Sequence, residues 1–145
     1  MKGEFIKYLD CISITNALRA RIETIYKLCK QLCPEEIKDI FITDYIKEDG
    51  SREYENLWFF SEKHCMEAKN FRAVEDFDII PINKRVTYWN IKIHNYDFKK
   101  ATDTSRLVLV IRFEIDMAGY FKAAKENCDY LKEIIFKYVM TNIKV

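Results

Sequence analysis

The sequence predicts an α+β fold in which a curved antiparallel sheet of about six strands stands between an N-terminal helix and a long C-terminal amphipathic helix. Three observations carry this. Arg106 to Asp116 alternates strictly, with Leu107, Leu109, Ile111, Phe113 and Ile115 on one face and Arg106, Arg112, Glu114 and Asp116 on the other, the period of a half-buried strand. Phe121, Ala124, Cys128, Leu131, Ile135 and Tyr138 then recur at spacings of three and four, with Lys122, Lys125, Glu126, Asp129, Lys132 and Lys137 between them. That is the stripe of an amphipathic helix over about 118–140. The middle of the chain holds β-branched and aromatic runs joined by short connections, whereas each parallel crossover would need about a dozen residues or more.

The elements follow in order. Leu18, Ile22, Ile25, Cys29 and Leu32 step by four and three before Pro34, which places a helix at about 15–33 with Thr15 or Asn16 as its N-cap. Phe5, Ile6, Leu9 and Ile12 either extend it backwards or form a separate short element. Strands occupy about 37–115. Ile37 to Ile46 and Tyr54 to Ser61 make a hairpin around Asp49-Gly50, a favoured turn pair. The consecutive Leu57, Trp58, Phe59 and Phe60 predict a strand buried on both faces, where a one-sided sheet would expose an aromatic platform. Cys65 to Phe71, Phe77 to Ile82 and Val86 to His94 come next, the last with Trp89, Ile91 and Ile93 inward against Tyr88, Asn90, Lys92 and His94. Asn95 to Thr104 is a polar loop around which Asp97, Asp103 and Ser105 serve as turn residues. Gly119 marks the break between the last strand and its helix, with Asp116 as the cap.

The 145 residues suit one domain, 1–145, and 3 Gly with 2 Pro leave little room for a linker. A net charge of +1 disfavours nucleic acid as a partner on the strength of the overall balance. Lys2, Glu4, Lys7 and Asp10 interrupt any apolar run that could serve as a signal peptide or membrane span. Five cysteines at irregular spacing read as reduced thiols in a cytoplasmic protein.

Chemistry-bearing motifs are sparse. Gly3, Gly50 and Gly119 never cluster, so no phosphate loop or dinucleotide fingerprint exists and no cofactor is expected. Cys29, Cys33, His64 and Cys65 supply soft donors for a zinc ion in principle. Cys29 and Cys128 complete apolar helix stripes instead, which favours core over metal. The 2 histidines, His64 and His94, restrict acid–base schemes. A local group of Glu62, His64 and Cys65 alternates across a strand and does not converge. Asp76 and Asp78 share a strand face beside Glu75, a spacing that holds a hard cation or raises one carboxyl, or that simply opens a strand from an acidic loop. No catalytic residue is assigned. Tyr88, Lys92, His94 and Tyr96 form the candidate interaction surface, with Lys84, Arg85, Lys99 and Lys100 as basic neighbours.

The strands Ile37 to Phe71, with Asp49-Gly50 and Leu57-Trp58-Phe59-Phe60, followed by Leu107 to Tyr138 as last strand and helix, resemble the pleckstrin-homology-like barrel. In that family a bent sheet of seven strands is plugged by the final helix; here six strands are read, and an N-terminal helix is added. The resemblance implies a binding module. Lys47 to Glu53 carries no basic cluster, which disfavours phosphoinositide. A second resemblance is to the helix-grip fold, which requires Glu4 to Ile12 as a strand and implies an apolar ligand cavity, as in a small-molecule or lipid binding protein or enzyme. The expected function is a non-catalytic cytoplasmic binding or scaffold module that recognises protein through a sheet edge, a groove or the added helix, with homo-oligomerisation open.

Overall fold

A computed structural model describes residues 1–73, 76–81, 86–113 and 117–142. The chain is α+β and divides into two compact units, residues 1–42 with 55–81 and residues 43–54 with 82–145. Asp116, Glu75, Lys84 and Arg85, and the side chains of Asp76, Phe77 and Phe113, lie outside what is described.

In the first unit, α1 (Gly3–Cys11) precedes α2 (Asn16–Leu32). Residues 4–11 are therefore helical and Ile12 is the helix's C-cap, so the strand that the helix-grip plan requires over 4–12 is absent. The Leu18 amide donates to Thr15 Oγ1 at 3.4 Å, so Thr15 is the N-cap. Ile22, Ile25, Tyr26 and Cys29 form the buried stripe, while Leu32, assigned to it from spacing, is 51% exposed. Strands β1 (Asp39–Ile46), β2 (Arg52–Phe60), β3 (His64–Lys69) and β4 (Asp76–Pro81) pair in sequence order. Tyr8 stacks on Phe41 and its hydroxyl accepts from the Ile42 amide at 2.8 Å, while Tyr26 lies 5.6 Å from Phe59. Leu57, Trp58, Phe59 and Phe60 are all buried, the two-faced burial predicted for this strand. Residues 43–54 belong to the second unit; there Gly50, at φ +84°, closes the β1–β2 turn, where the Ser51 amide donates to Asp49 Oδ1.

The second unit corrects the sequence reading most. Strands β5 (Val86–His94), β6 (Arg106–Phe113) and β7 (Met117–Ala124) form a separate antiparallel sheet in that order. The sheet is thus not one curved surface of six strands. Seven strands fall into sheets of four and three, and no pairing among the described residues closes them into a barrel. Residues 117–124, expected to open the C-terminal helix, are β7. Phe121 and Ala124 fit a helical step, but Gly119, Phe121 and Ala123 also alternate, and in the structure they are the buried face of a strand. Gly119 lies within it, opposite Ile111, instead of marking its end. The helix α3 (Asn127–Ile134) begins later and runs on as a π-helical turn, Ile135–Val139. It packs on β7 and β6, whose Leu107, Leu109 and Phe121 are buried. Trp89, expected inward, is 41% exposed, because β5 is the outer strand of this sheet.

Candidate binding surface

The four residues singled out from the sequence part company. Tyr88, Lys92 and His94 are exposed on β5. Tyr96 is buried in the loop that follows, and its hydroxyl donates to Asp129 Oδ1 at 2.6 Å. Burial and the Asp129 carboxylate push that phenol well above its ordinary value. Asp129 also accepts from the Ala101 amide, so Tyr96 ties residues 95–101 to α3 and presents its ring as the wall of an open cleft. About 500 Å³ in volume, the cleft is also lined by Ile93, Asn95, Asp97, Lys100 and Thr102. Asp97 and Ser105 serve the turn as expected: the Lys99 amide donates to Asp97 Oδ1 and the Ser105 hydroxyl donates to the Asn95 carbonyl.

β5 itself has two different faces. Trp89 and Ile93, 41% and 48% exposed, stand opposite the buried Ile111 and Leu107 of β6. An apolar row thus continues from the core onto a strand whose other edge has no paired strand among the described residues. Such an edge offers main-chain donors and acceptors to an incoming strand.

The remaining motifs resolve into structure. His64 Nδ1 lies 2.8 Å from Glu35, not beside Glu62, and the Ser61 hydroxyl also donates to Glu35 at 2.9 Å. Because the serine bonds the carboxylate and not the imidazole, no proton path runs from hydroxyl to ring as a nucleophile would need. Burial pushes the Cys65 thiol far up and those of Cys29 and Cys128 up to about 12, which suits core packing and not a reactive thiolate. Among the described residues no group of three or more His, Cys, Asp or Glu side chains is gathered as a metal site. Asp78 faces Lys69 at 3.7 Å and stands opposite Glu67 on β3. Glu67, 6% exposed, is raised to about 7 by burial, with Asp78 and Glu55 adding and Lys69 opposing.

Sequence reasoning missed a polar centre in the second unit. Asp44, fully buried, accepts from Arg52 Nε, the Ala124 amide and Asn127 Nδ2. Its one signal in the sequence is a carboxylate directly after Phe41-Ile42-Thr43 in a strand. Every one of its partners is structural. Compared with protein-family models, with curated proteins and with solved structures, the chain finds no match.

Proposed function

We propose that this chain is a non-catalytic binding module that recognises an extended protein segment by strand addition along β5, on the plan of a pleckstrin-homology-like barrel domain. The observation that carries the reading is the half-exposure of Trp89 and Ile93 on an edge strand. An added strand gains main-chain hydrogen bonds from the edge, and alternate apolar side chains of the partner cover the two exposed ones. The barrel plan draws support from the count and order of elements: four paired strands, three paired strands, then a helix. With β7 the described strands number seven, the number in that family, in sheets of four and three.

The test is selection from a displayed peptide library followed by titration of the selected peptides. Peptides with apolar residues at every second position are expected, binding at least tenfold more weakly to the Trp89→Ser, Ile93→Lys double variant with unchanged thermal unfolding. Selected peptides that bind the double variant as well as the parent, or a selection without any alternating pattern, would overturn the reading.

A further inference from the structure

The opposite face of the three-stranded sheet carries a second signal, one of charge. Strand alternation and register place Tyr88, Asn90, Lys92 and His94 of β5, Arg106, Val108, Val110 and Arg112 of β6, and Ala118, Tyr120 and Lys122 of β7 on one side. Tyr88 and Tyr120 are 50% and 47% exposed. Lys92, His94 and Arg112 are exposed, and Lys122 is half-exposed. Among the described residues of the three strands no carboxylate shares this side, and Lys92, Arg112 and Lys122 make no ion pair with any described residue. Arg106 is spent on the carbonyls of Asp103 and Ser105. Lys122 Nζ rests 5.3 Å from the centre of the Tyr120 ring and 5.2 Å from that of Tyr45. In a chain with a net charge of only +1, the described residues of this face thus gather cations and rings.

We infer that this face binds single-stranded nucleic acid, with Lys92, Arg112 and Lys122 on phosphates and Tyr88 and Tyr120 beneath bases. Phosphates match cations that make no ion pair with a described residue, on a face whose described strand residues include no carboxylate, and flat rings set among those cations are the platform on which unpaired bases stack. Tyr88 lies across from Arg112 and Tyr120 across from Val110, which sets the two rings roughly 12 Å apart for strands about 4.8 Å apart rising about 3.4 Å per residue. One strand of nucleic acid crossing the sheet diagonally meets both. An acidic peptide would use the cations and leave the rings idle. A bilayer would want larger apolar side chains than Val108 and Val110 between them.

The inference does not rest on strand addition at β5, whose side chains Trp89 and Ile93 point the other way. It is tested by fluorescence anisotropy with labelled oligothymidylate of about twelve nucleotides, within the span of single-strand sites. Binding is expected to weaken with salt at a log–log slope of about −2, for three phosphates at about 0.7 each. The Lys92→Glu, Arg112→Glu double variant should bind at least tenfold more weakly and Tyr120→Ala about tenfold, a typical loss for one stacked base. Lys27→Glu with Lys63→Glu, the same change of net charge in the first unit, should bind within about twofold of the parent. Trp89→Ser with Ile93→Lys should leave oligonucleotide affinity unchanged, so this inference and the peptide reading fail separately. Absence of any anisotropy change in low salt would overturn it. So would equal weakening by the first-unit control, or binding of phosphatidylserine vesicles or polyglutamate without binding of the oligonucleotide.

Discussion

Arg52 and Asp44 form a buried ion pair closed at 2.5 Å, Nε to Oδ2, with side chains 13% and 0% exposed. The same guanidinium reaches Glu126 at 2.5 Å and the Ala124 carbonyl at 3.1 Å, while Asp44 Oδ1 takes the Ala124 amide at 2.9 Å and Asn127 Nδ2 at 2.8 Å. Burial is the largest influence on the Asp44 carboxyl and pushes it up, against the Arg52 charge and its other donors. α3 starts at this point, where Glu126 makes no side-chain cap. The strands β1 and β2 thus hold the end of β7 and the Asn127 side chain where α3 begins.

Removing one partner should therefore be expensive. Arg52→Met leaves Asp44 buried without its counter-charge and should cost about 3–5 kcal/mol in urea unfolding. Asp44→Leu combined with Arg52→Met should cost less than Arg52→Met alone, since no charge is then stranded. A double variant less stable than the single one would show that the pair's worth is attractive and not compensatory.

At Gly119 the strand has no room for a side chain. A Cβ there would stand 2.8 Å from Phe121 Cε2 and 3.0 Å from Ile111 Cγ2. Gly119→Ala is expected to destabilise by about 1–3 kcal/mol, the usual range for overpacking. An unchanged denaturation midpoint would mean that the Phe121 ring moves freely aside.

Leu131 is fully buried on α3. Leu131→Ala should cost about 2–5 kcal/mol, as large-to-small core changes do, and a loss of a few tenths would place the helix elsewhere.

Glu67 gives stability a pH dependence of known sign. Its carboxyl is raised from 4.5 to about 7 in the folded chain, so the native state holds the proton more tightly than the unfolded one. That contribution is complete below about pH 4.5 and is lost as pH rises through about 7, a swing on the order of 3 kcal/mol at about 1.4 kcal/mol per pK unit. Glu35 and Glu36 are shifted downward by His64 and Lys2 respectively, and their effect has the opposite sign at more acid pH. Urea unfolding at pH 5 and pH 8 separates them: Glu67→Gln should abolish most of the decline between the two, and a variant with the parent's slope would assign it to another group.

The sequence was most legible where one period had no rival. α2 and β5 came out at their edges because Pro34 stops the one and the alternation of Val86 to His94 admits no helix. Residues 117–124 read as helix because Phe121, Ala124 and Cys128 continue the α3 stripe backwards into a strand, and Gly119, within that strand, reads equally as the break before a helix. That error also hid the basic sheet face, since Tyr120 and Lys122 join Tyr88 and Arg112 only when 117–124 is a strand. Tyr96 was grouped with Tyr88 by proximity in sequence, but its hydroxyl is committed to Asp129, a partner 33 residues away that no local pattern reveals.

The Asp44 centre also sets a timetable for the nascent chain. Asp44 and Arg52 leave the ribosome early, while Ala124, Glu126 and Asn127, separated from them by 72 to 83 residues, emerge roughly 4–16 s later at about 5–20 residues per second. Through that interval the hairpin carries a carboxylate and a guanidinium whose other ligands have not yet been made. Premature burial of the hairpin tip would strand those groups away from water. The Asp44 centre of the second unit can therefore be completed only once residues 124–127 have been made.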